Sequence, residues 1–174
     1  MNNKVDARFL CSTGMMAAVV CVMTMVIQIP IPLGYAHLGD AFILLTVAFL
    51  GKREGILAGG IGSAMADLLT GYTQWVLPTF LIKALLALIA GKLMYDKNND
   101  CKLASVRGAL AAVVSMAWMV LGYVVAGAAL NGSMAAGLAS APGLAVKGVL
   151  NIAVFYAVGM IFERANLRSL IRVK

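Results

Sequence analysis

Charged residues are scarce in this sequence, and their scarcity decides the class of protein. Only 12% of the 174 residues are charged, whereas 62% are hydrophobic. A soluble domain carries about 25% charged residues and about 45–50% apolar ones. A soluble core of this size has no place for the excess, so we predict an all-α integral membrane protein.

Histidine, cysteine and the motifs of common enzymes are also scarce or missing. The single histidine and three cysteines, with no CxxC pair among them, make no plausible zinc site. The sequence contains no GxxxxGK[ST] nucleotide-binding loop and no HExxH, GxSxG or paired carboxylate motif. We therefore expect no metal, no cofactor and no catalytic activity.

Long apolar runs separated by short polar segments predict six transmembrane helices in one domain. Residues 108–146 are uncharged and too many for one span, and Asn131–Ser133 and Ala141–Gly143 divide them. Gly51–Gly55 is predicted as a tight charged turn, and residues 95–102 as a polar loop. The predicted helices cover about 9–28, 38–50, 56–69, 76–93, 106–130 and 144–162 of the single domain 1–174.

The net charge of +7 comes from basic residues that gather at alternate ends of the predicted helices. By the positive-inside rule, this asymmetry places both termini in the cytoplasm and turns the Tyr35–Asp40 segment outward. It also explains the charge through membrane topology and not through nucleic-acid binding. The residues concerned are Lys4, Arg8, Lys52, Arg53, Lys92, Lys97, Lys102, Arg107, Arg164, Arg168, Arg172 and Lys174.

The segment between helices 1 and 2 combines helix-breaking residues with polar ones. Its prolines and Gly34 cannot continue a helix. It also contains Tyr35 and the only histidine, His37. We predict that Pro30–Asp40 forms a polar lid at the outer mouth of the bundle. Two local roles remain open: His37 could bond within its loop, and Asp40 could cap helix 2.

Three ionisable residues, Lys83, Lys147 and Asp67, fall inside predicted helices. Charged groups at membrane depth are costly and mark functional sites by default. Helical spacing adds Thr79 to the Lys83 face and Asn151 to the Lys147 face. We predict an outward-facing substrate pocket. Its predicted residues are Lys83, Asp67, Asn151, Lys147, Thr79, His37, Tyr35 and Asp40.

Structural roles are open for several of these residues. Lys147 could extend its amine to the membrane interface, and Lys83 could neutralise Asp67 in a structural ion pair. Tyr72 and Trp75, at the predicted outer rim, could belong to an interfacial aromatic belt.

Small residues on helix 1 offer a second surface. Gly14 and Ala18 stand four apart, a spacing that lets another helix approach closely. Either a separate subunit or a neighbouring helix of this chain fits that spacing. Gly55, Gly59 and Ser63 repeat it on helix 3, where we expect internal packing.

These segments resemble the substrate-binding S components of energy-coupling factor (ECF) transporters. The resemblance lies in YAHLGD (35–40), GSAMADLLTGY (62–72) and PTFLIK (78–83), in that order. It implies a protein of the bacterial cytoplasmic membrane that captures a water-soluble vitamin or precursor, with pyridoxine-like or hydroxymethylpyrimidine-like compounds favoured. The implied partners are a transmembrane coupling subunit and two ABC-type ATPases. The family's AxxxA docking motif on helix 1 falls on Gly14 and Ala18, with glycine in place of the first alanine.

A rival interpretation is a stand-alone secondary transporter that uses Asp67 and Lys83 for proton coupling. A structural or regulatory membrane protein that binds no ligand is the third.

Overall fold

The computed structural model describes residues 6–31, 34–95, 101 and 103–165. Helices dominate these residues, as the composition predicts. The helices are α1 (Ala7–Val26), α2 (Gly39–Phe49), α3 (Lys52–Leu69), α4 (Val76–Met94), α5 (Val106–Asn131), α6 (Met134–Ala139) and α7 (Ala141–Arg164). A 3-10 turn over Thr73–Trp75 leads directly into α4.

Four helical segments of the described chain are long and apolar enough to cross a membrane. They are Ala7–Val26, Thr73–Met94, Val106–Asn131 and Met134–Arg164. The chain is therefore a multi-pass membrane protein with mainly helical structure. At 11 residues, α2 is about 16 Å long, shorter than a span needs, and α3 carries charged residues near both ends. The count of six spans stays a prediction.

A β-hairpin follows α1, in a segment where no strand is predicted from the sequence. Strand β1 (Ile29–Ile31) pairs antiparallel with β2 (Gly34–Ala36), with Pro30 opposite Tyr35. The class of all-α membrane protein is confirmed, and this short hairpin is a local addition that the prediction lacked. Pro30 lacks a backbone N–H but can stand in an edge strand, so proline ends the helix without preventing the hairpin. Pro32 lies outside the described residues.

Two helix starts also differ from the prediction. Lys52 begins α3, so the charged residues predicted as a turn form the first turn of the helix. Ala141 begins α7, with Pro142 inside its first turn and the short helix α6 ahead of it. Proline is tolerated there because the first N–H groups of a helix have no partner within it.

Six of the basic residues on which the predicted topology depends lie outside the described residues. They are Lys4, Lys97, Lys102, Arg168, Arg172 and Lys174.

The short helix α2 forms the centre of the core. Its residues 43–49 are all buried, which matches a helix surrounded by others. On α3, a Cβ added to Gly59 would lie 2.9 Å from Ile43, and one at Gly55 would overlap Val47. The expectation of internal packing along this face of α3 is confirmed. The close approach of α3 fixes the position of the first turn of α2, where the ionisable residues gather.

Candidate functional site

A buried ionic cluster joins α2, α4 and α7. Asp40, in the first turn of α2, accepts a hydrogen bond from the Lys83 amine through Oδ1. Its other oxygen, Oδ2, lies 3.4 Å from Lys147 Nζ. The side chains of Asp40 and Lys83 are 0% exposed and that of Lys147 is 2% exposed. Lys147 therefore stays inside the bundle and does not extend to the interface.

The alternative in which Lys83 neutralises Asp67 is wrong, because Lys83 forms its ion pair with Asp40. Asp40 is not the helix cap either, because the N-cap residue of α2 is Leu38. Since the carboxylate points into the bundle, it neutralises an amine there and satisfies no backbone N–H. A buried charge is stable only when it is paired in this way.

His37 connects the end of the hairpin to this cluster. Its Nδ1 accepts a hydrogen bond of 3.0 Å from the Gly39 N–H, and its Nε2 lies 2.9 Å from Lys147 Nζ. Burial is the main cause that lowers the pKa of His37 well below its usual range, so the ring is neutral. Nδ1 is therefore the acceptor for the Gly39 N–H, and Nε2 is the ring atom that faces the Lys147 amine. His37 thus bonds within its loop, as one alternative held, and also contacts Lys147.

Asn151 fastens the hairpin exit to α7. Its Oδ1 accepts from the Ala41 N–H at 2.8 Å, and its Nδ2 donates to the His37 carbonyl at 2.8 Å and the Lys147 carbonyl at 2.9 Å. These bonds use both donors and one lone pair of the amide. In this structure Asn151 therefore positions the residues around it.

A second polar group lies where α3, α4 and α5 meet the hairpin. The Tyr35 hydroxyl donates to Asp67 Oδ1 at 2.8 Å, and the hydroxyls of Thr79 and Tyr123 lie 3.1 Å apart. Burial and the Asp67 carboxylate raise the pKa of Tyr35, which keeps its hydroxyl protonated as a donor. The bond from Tyr35 to Asp67 joins the predicted lid to α3.

Aromatic rings link the two polar groups. The amines of Lys83 and Lys147 lie 4.9 Å and 5.2 Å from the centre of the Tyr123 ring, distances at which a cation is attracted to the ring face. Trp75 also packs against Tyr123, with the two ring centres 5.7 Å apart. Trp75 is only 9% exposed, so it belongs to the interior and not to an interfacial belt. Tyr72 packs against Tyr35 at 5.1 Å.

The structure brings all eight predicted binding residues into one region. Asp40, Lys83, Lys147, His37 and Asn151 contact one another, and Tyr123 connects them to Thr79. Asp67 and Tyr35 form the remaining pair. Sequence reasoning missed Tyr123, because the stretch around it holds no charge. A tyrosine in the middle of that apolar helix was the available signal.

Gly14 and Ala18 lie elsewhere, on the outer face of α1. Both are exposed, and a Cβ added to Gly14 would meet no atom within 4 Å. The interpretation that this face packs inside the bundle is wrong. The other side of α1 contacts α3: a Cβ at Gly62 would overlap the Ala17 carbonyl.

The chemistry of the site favours binding over catalysis. Among hydrogen bonds between described residues, Asp40 Oδ2 and Asp67 Oδ2 take part in none although both are buried. Such oxygens accept hydroxyl or N–H donors, and the surrounding rings suit a planar partner. No group of three or more His, Cys, Asp or Glu in the described part of the chain could hold a metal ion.

The fold and the buried cluster define a multi-pass membrane protein with a polar site inside its helical bundle. Residues 4–164 match the family described as ECF-type riboflavin transporter, S component, and the chain belongs to that family. It is therefore a substrate-binding transporter subunit, a class that is not enzymatic. The chain is also 39% identical over 107 residues to an uncharacterized protein in the gap 3' region of Pyrococcus woesei. That match covers 60% of this chain and 68% of the relative.

Proposed function

We propose that this chain captures a water-soluble vitamin or vitamin precursor outside the cell, in the site beneath the hairpin. The observation that carries the proposal is the buried Asp40–Lys83–Lys147–His37 cluster, covered by a hairpin, in a protein of this family. Ionisable groups so deep in a membrane bundle are costly without a function. The bound ligand is then handed to a transmembrane coupling subunit that works with two ABC-type ATPases.

The buried carboxylate oxygens that accept no hydrogen bond from a described residue indicate the chemistry of the ligand. The two carboxylate oxygens without hydrogen bonds, on Asp40 and Asp67, would accept ligand hydroxyl or N–H groups. The rings of Tyr35, Tyr72 and Tyr123 would contact a planar heterocycle. Riboflavin, the vitamin in the family's description, and pyridoxine-like or hydroxymethylpyrimidine-like compounds share these features.

The membrane arrangement of the proposal has six spans, both termini in the cytoplasm and the hairpin outside, in a bacterial cytoplasmic membrane. Six basic residues of the described chain support it: Arg8, Lys52, Arg53, Lys92, Arg107 and Arg164 all fall in the first or last turn of their helices. They belong to starts of α1, α3 and α5 and to ends of α4 and α7, which share one membrane face if successive spans alternate.

The exposed Gly14–Ala18 face of α1 is the proposed docking surface for the coupling subunit. Small residues four apart allow two helix backbones to approach closely. Nothing in the described chain covers Gly14, so a partner helix can reach it.

A ligand screen with the purified chain tests the proposal. Riboflavin, pyridoxine, hydroxymethylpyrimidine and other water-soluble vitamins are compared by thermal stabilisation and calorimetry. One of them should raise the melting temperature further as its concentration exceeds the dissociation constant. Lys83→Met should abolish this shift, whereas Lys92→Met, on the same helix but exposed, should preserve it. Stabilisation by no vitamin, or equal stabilisation of both variants, would contradict the proposal.

The rival is a stand-alone secondary transporter that uses Asp67 and Lys83 for proton coupling. In the structure Asp67 bonds to Tyr35 and Lys83 bonds to Asp40. Substrate accumulation by the isolated chain in ATP-free liposomes, driven by a proton gradient, is the result that would favour it.

A further inference from the structure

A cavity of about 330 Å³ lies far from the ionic cluster, between the α2–α3 turn and the last turn of α4. Gly51, at the turn, and Gly91 and Tyr95, at the end of α4, are among its lining residues. Gly51 follows Asp40 by eleven positions, a rise of about 16 Å along the direction of α2. The two sites are therefore distinct.

The lining of this cavity carries two positive charges and one negative charge. Lys52 and Arg53 both line it, together with a single acid, Glu54. Neither Lys52 nor Arg53 forms an ion pair with a residue that the structure describes. The stem of Lys52 packs on Gly91, where an added Cβ would lie 2.6 Å from Lys52 Cγ. This contact holds the lysine at the cavity wall.

The cavity lies where the end of α4 is joined to α2 and to the turn that precedes α3. The Tyr95 hydroxyl donates to the Val47 carbonyl at 2.8 Å and joins the end of α4 to α2. Gly51 turns the chain with a φ of +139° and is the N-cap of α3, which has no side-chain cap. The Glu54 carboxylate lies close to Gly51: an added Cβ would be 2.7 Å from Oε2. The cavity therefore offers two cations and one nearby acceptor.

An apolar stripe extends from the basic residues along α3. Arg53, Leu57, Ile61 and Met65 follow one another at steps of four and so share one face of the helix. Leu57, Ile61 and Met65 are 38%, 45% and 43% exposed. A small soluble anion would make no contact with this apolar stripe. An acyl chain attached to a headgroup can lie along it.

We propose that this cavity binds the headgroup of an anionic phospholipid that carries hydroxyl groups, of the phosphatidylglycerol type. Lys52 and Arg53 contact the phosphate, Glu54 accepts a headgroup hydroxyl, and an acyl chain follows Leu57 and Ile61. Basic pockets between membrane helices bind anionic headgroups by the same combination of charge and cavity. Both basic residues stand at a helix end that the charge pattern assigns to the cytoplasmic leaflet.

Native mass spectrometry of the full chain in detergent, with phosphatidylglycerol or phosphatidylcholine added, tests the proposal. Phosphatidylglycerol should bind preferentially, and Lys52→Gln and Arg53→Gln should each weaken its binding about fivefold. The matched control is Lys92→Gln, which removes an exposed cation beside Gly91 that does not line the cavity. It should leave lipid binding unchanged. The single variants decide the matter if the double variant fails to fold.

Three results would overturn the proposal. Equal weakening by Lys92→Gln would show a diffuse surface charge and no site. Inorganic phosphate or glycerol 3-phosphate that competed as strongly as the lipid would assign the cavity to a soluble anion. Unchanged lipid binding together with loss of coupling-subunit assembly in the double variant would assign it to a protein partner. Vitamin binding should be unaffected in each variant, so failure here leaves the proposed function standing.

Discussion

Asp40 is a buried carboxylate that lies between two buried amines. Its carboxylate is 0% exposed and serves two amines, on Lys83 and Lys147. A ligand that donates to Asp40 Oδ2 would compete with Lys147 for the same oxygen. The partner of each charge in this cluster therefore affects both stability and binding.

Lys83→Met should lower both stability and ligand affinity. The change removes the amine that hydrogen-bonds to Asp40 and leaves Lys147 as its partner, so the loss in stability should lie below the cost of an uncompensated buried charge, about 3–5 kcal/mol. Asp40→Asn combined with Lys83→Met removes this pair as a unit, so its loss in stability should be smaller than the sum of the two single losses, without recovery of ligand binding. Thermal melts and calorimetry of the two single variants and the double variant check this. Strict additivity of the two losses in stability would contradict direct pairing.

His37 should make the stability of the chain depend on pH. Its pKa in the folded protein is lowered, whereas in the unfolded chain it is about 6.5. The unfolded state therefore binds a proton first as the pH falls, and stability present above about pH 6.5 is lost below it by up to about 1.4 kcal/mol per pH unit. The groups that face the ring are Lys147, Asp40 and Lys83.

Melting temperatures measured between pH 8 and pH 5 test this prediction. His37→Asn keeps an acceptor for the Gly39 N–H but cannot titrate, so its melting temperature should change less with acid. The same acid sensitivity in both proteins would assign the titration to another group.

At the scale of elements, the hairpin is held at two places. Tyr35 bonds to Asp67 on α3, and the His37 carbonyl bonds to Asn151 on α7. Tyr35→Phe should remove the first attachment and spare the second. We expect faster ligand release with a nearly unchanged melting temperature, because one partly buried hydrogen bond contributes about 1 kcal/mol. Stopped-flow release of bound vitamin measures this, and unchanged release would leave Tyr35 without a role in closure.

Helix α1 has a packed side and an exposed side. Its inner side packs on α3, while Gly14 and Ala18 are exposed. Gly14→Leu or Ala18→Leu should leave vitamin binding intact but stop uptake, because the bulk prevents close approach of a partner helix. Met15→Leu, an exposed change on the same helix that adds no bulk, is the control. Normal uptake by the leucine variants would place the docking surface elsewhere.

At the scale of the whole molecule, the chain has a site for a ligand but no nucleotide-binding loop in its sequence. Proteoliposomes that contain only this chain should bind vitamin without accumulating it. Accumulation should require the coupling subunit, the two ATPases and ATP. Radiolabelled uptake with and without these partners checks the prediction, and concentration of the vitamin by the isolated chain would contradict it.

The sequence by itself determined the membrane class, most helix positions and the set of polar residues that meet. Those features depend on local composition and on helical spacing: Lys83 and Thr79, or Lys147 and Asn151, share a face whatever the rest of the chain does. Helix starts at Lys52 and Ala141 were misplaced because charge and proline are common to turns and to first helical turns.

Only the tertiary structure decided which charges pair. Spacing within one helix cannot show that Asp40 lies between α4 and α7, that Asp67 faces Tyr35, or that Tyr123 lies under both amines. It also could not show that the Gly14 face is exposed while the Gly55 and Gly59 face is covered. The physical reason is that a helix specifies its own faces through local bonds, whereas the partner of each face depends on how all the helices pack together.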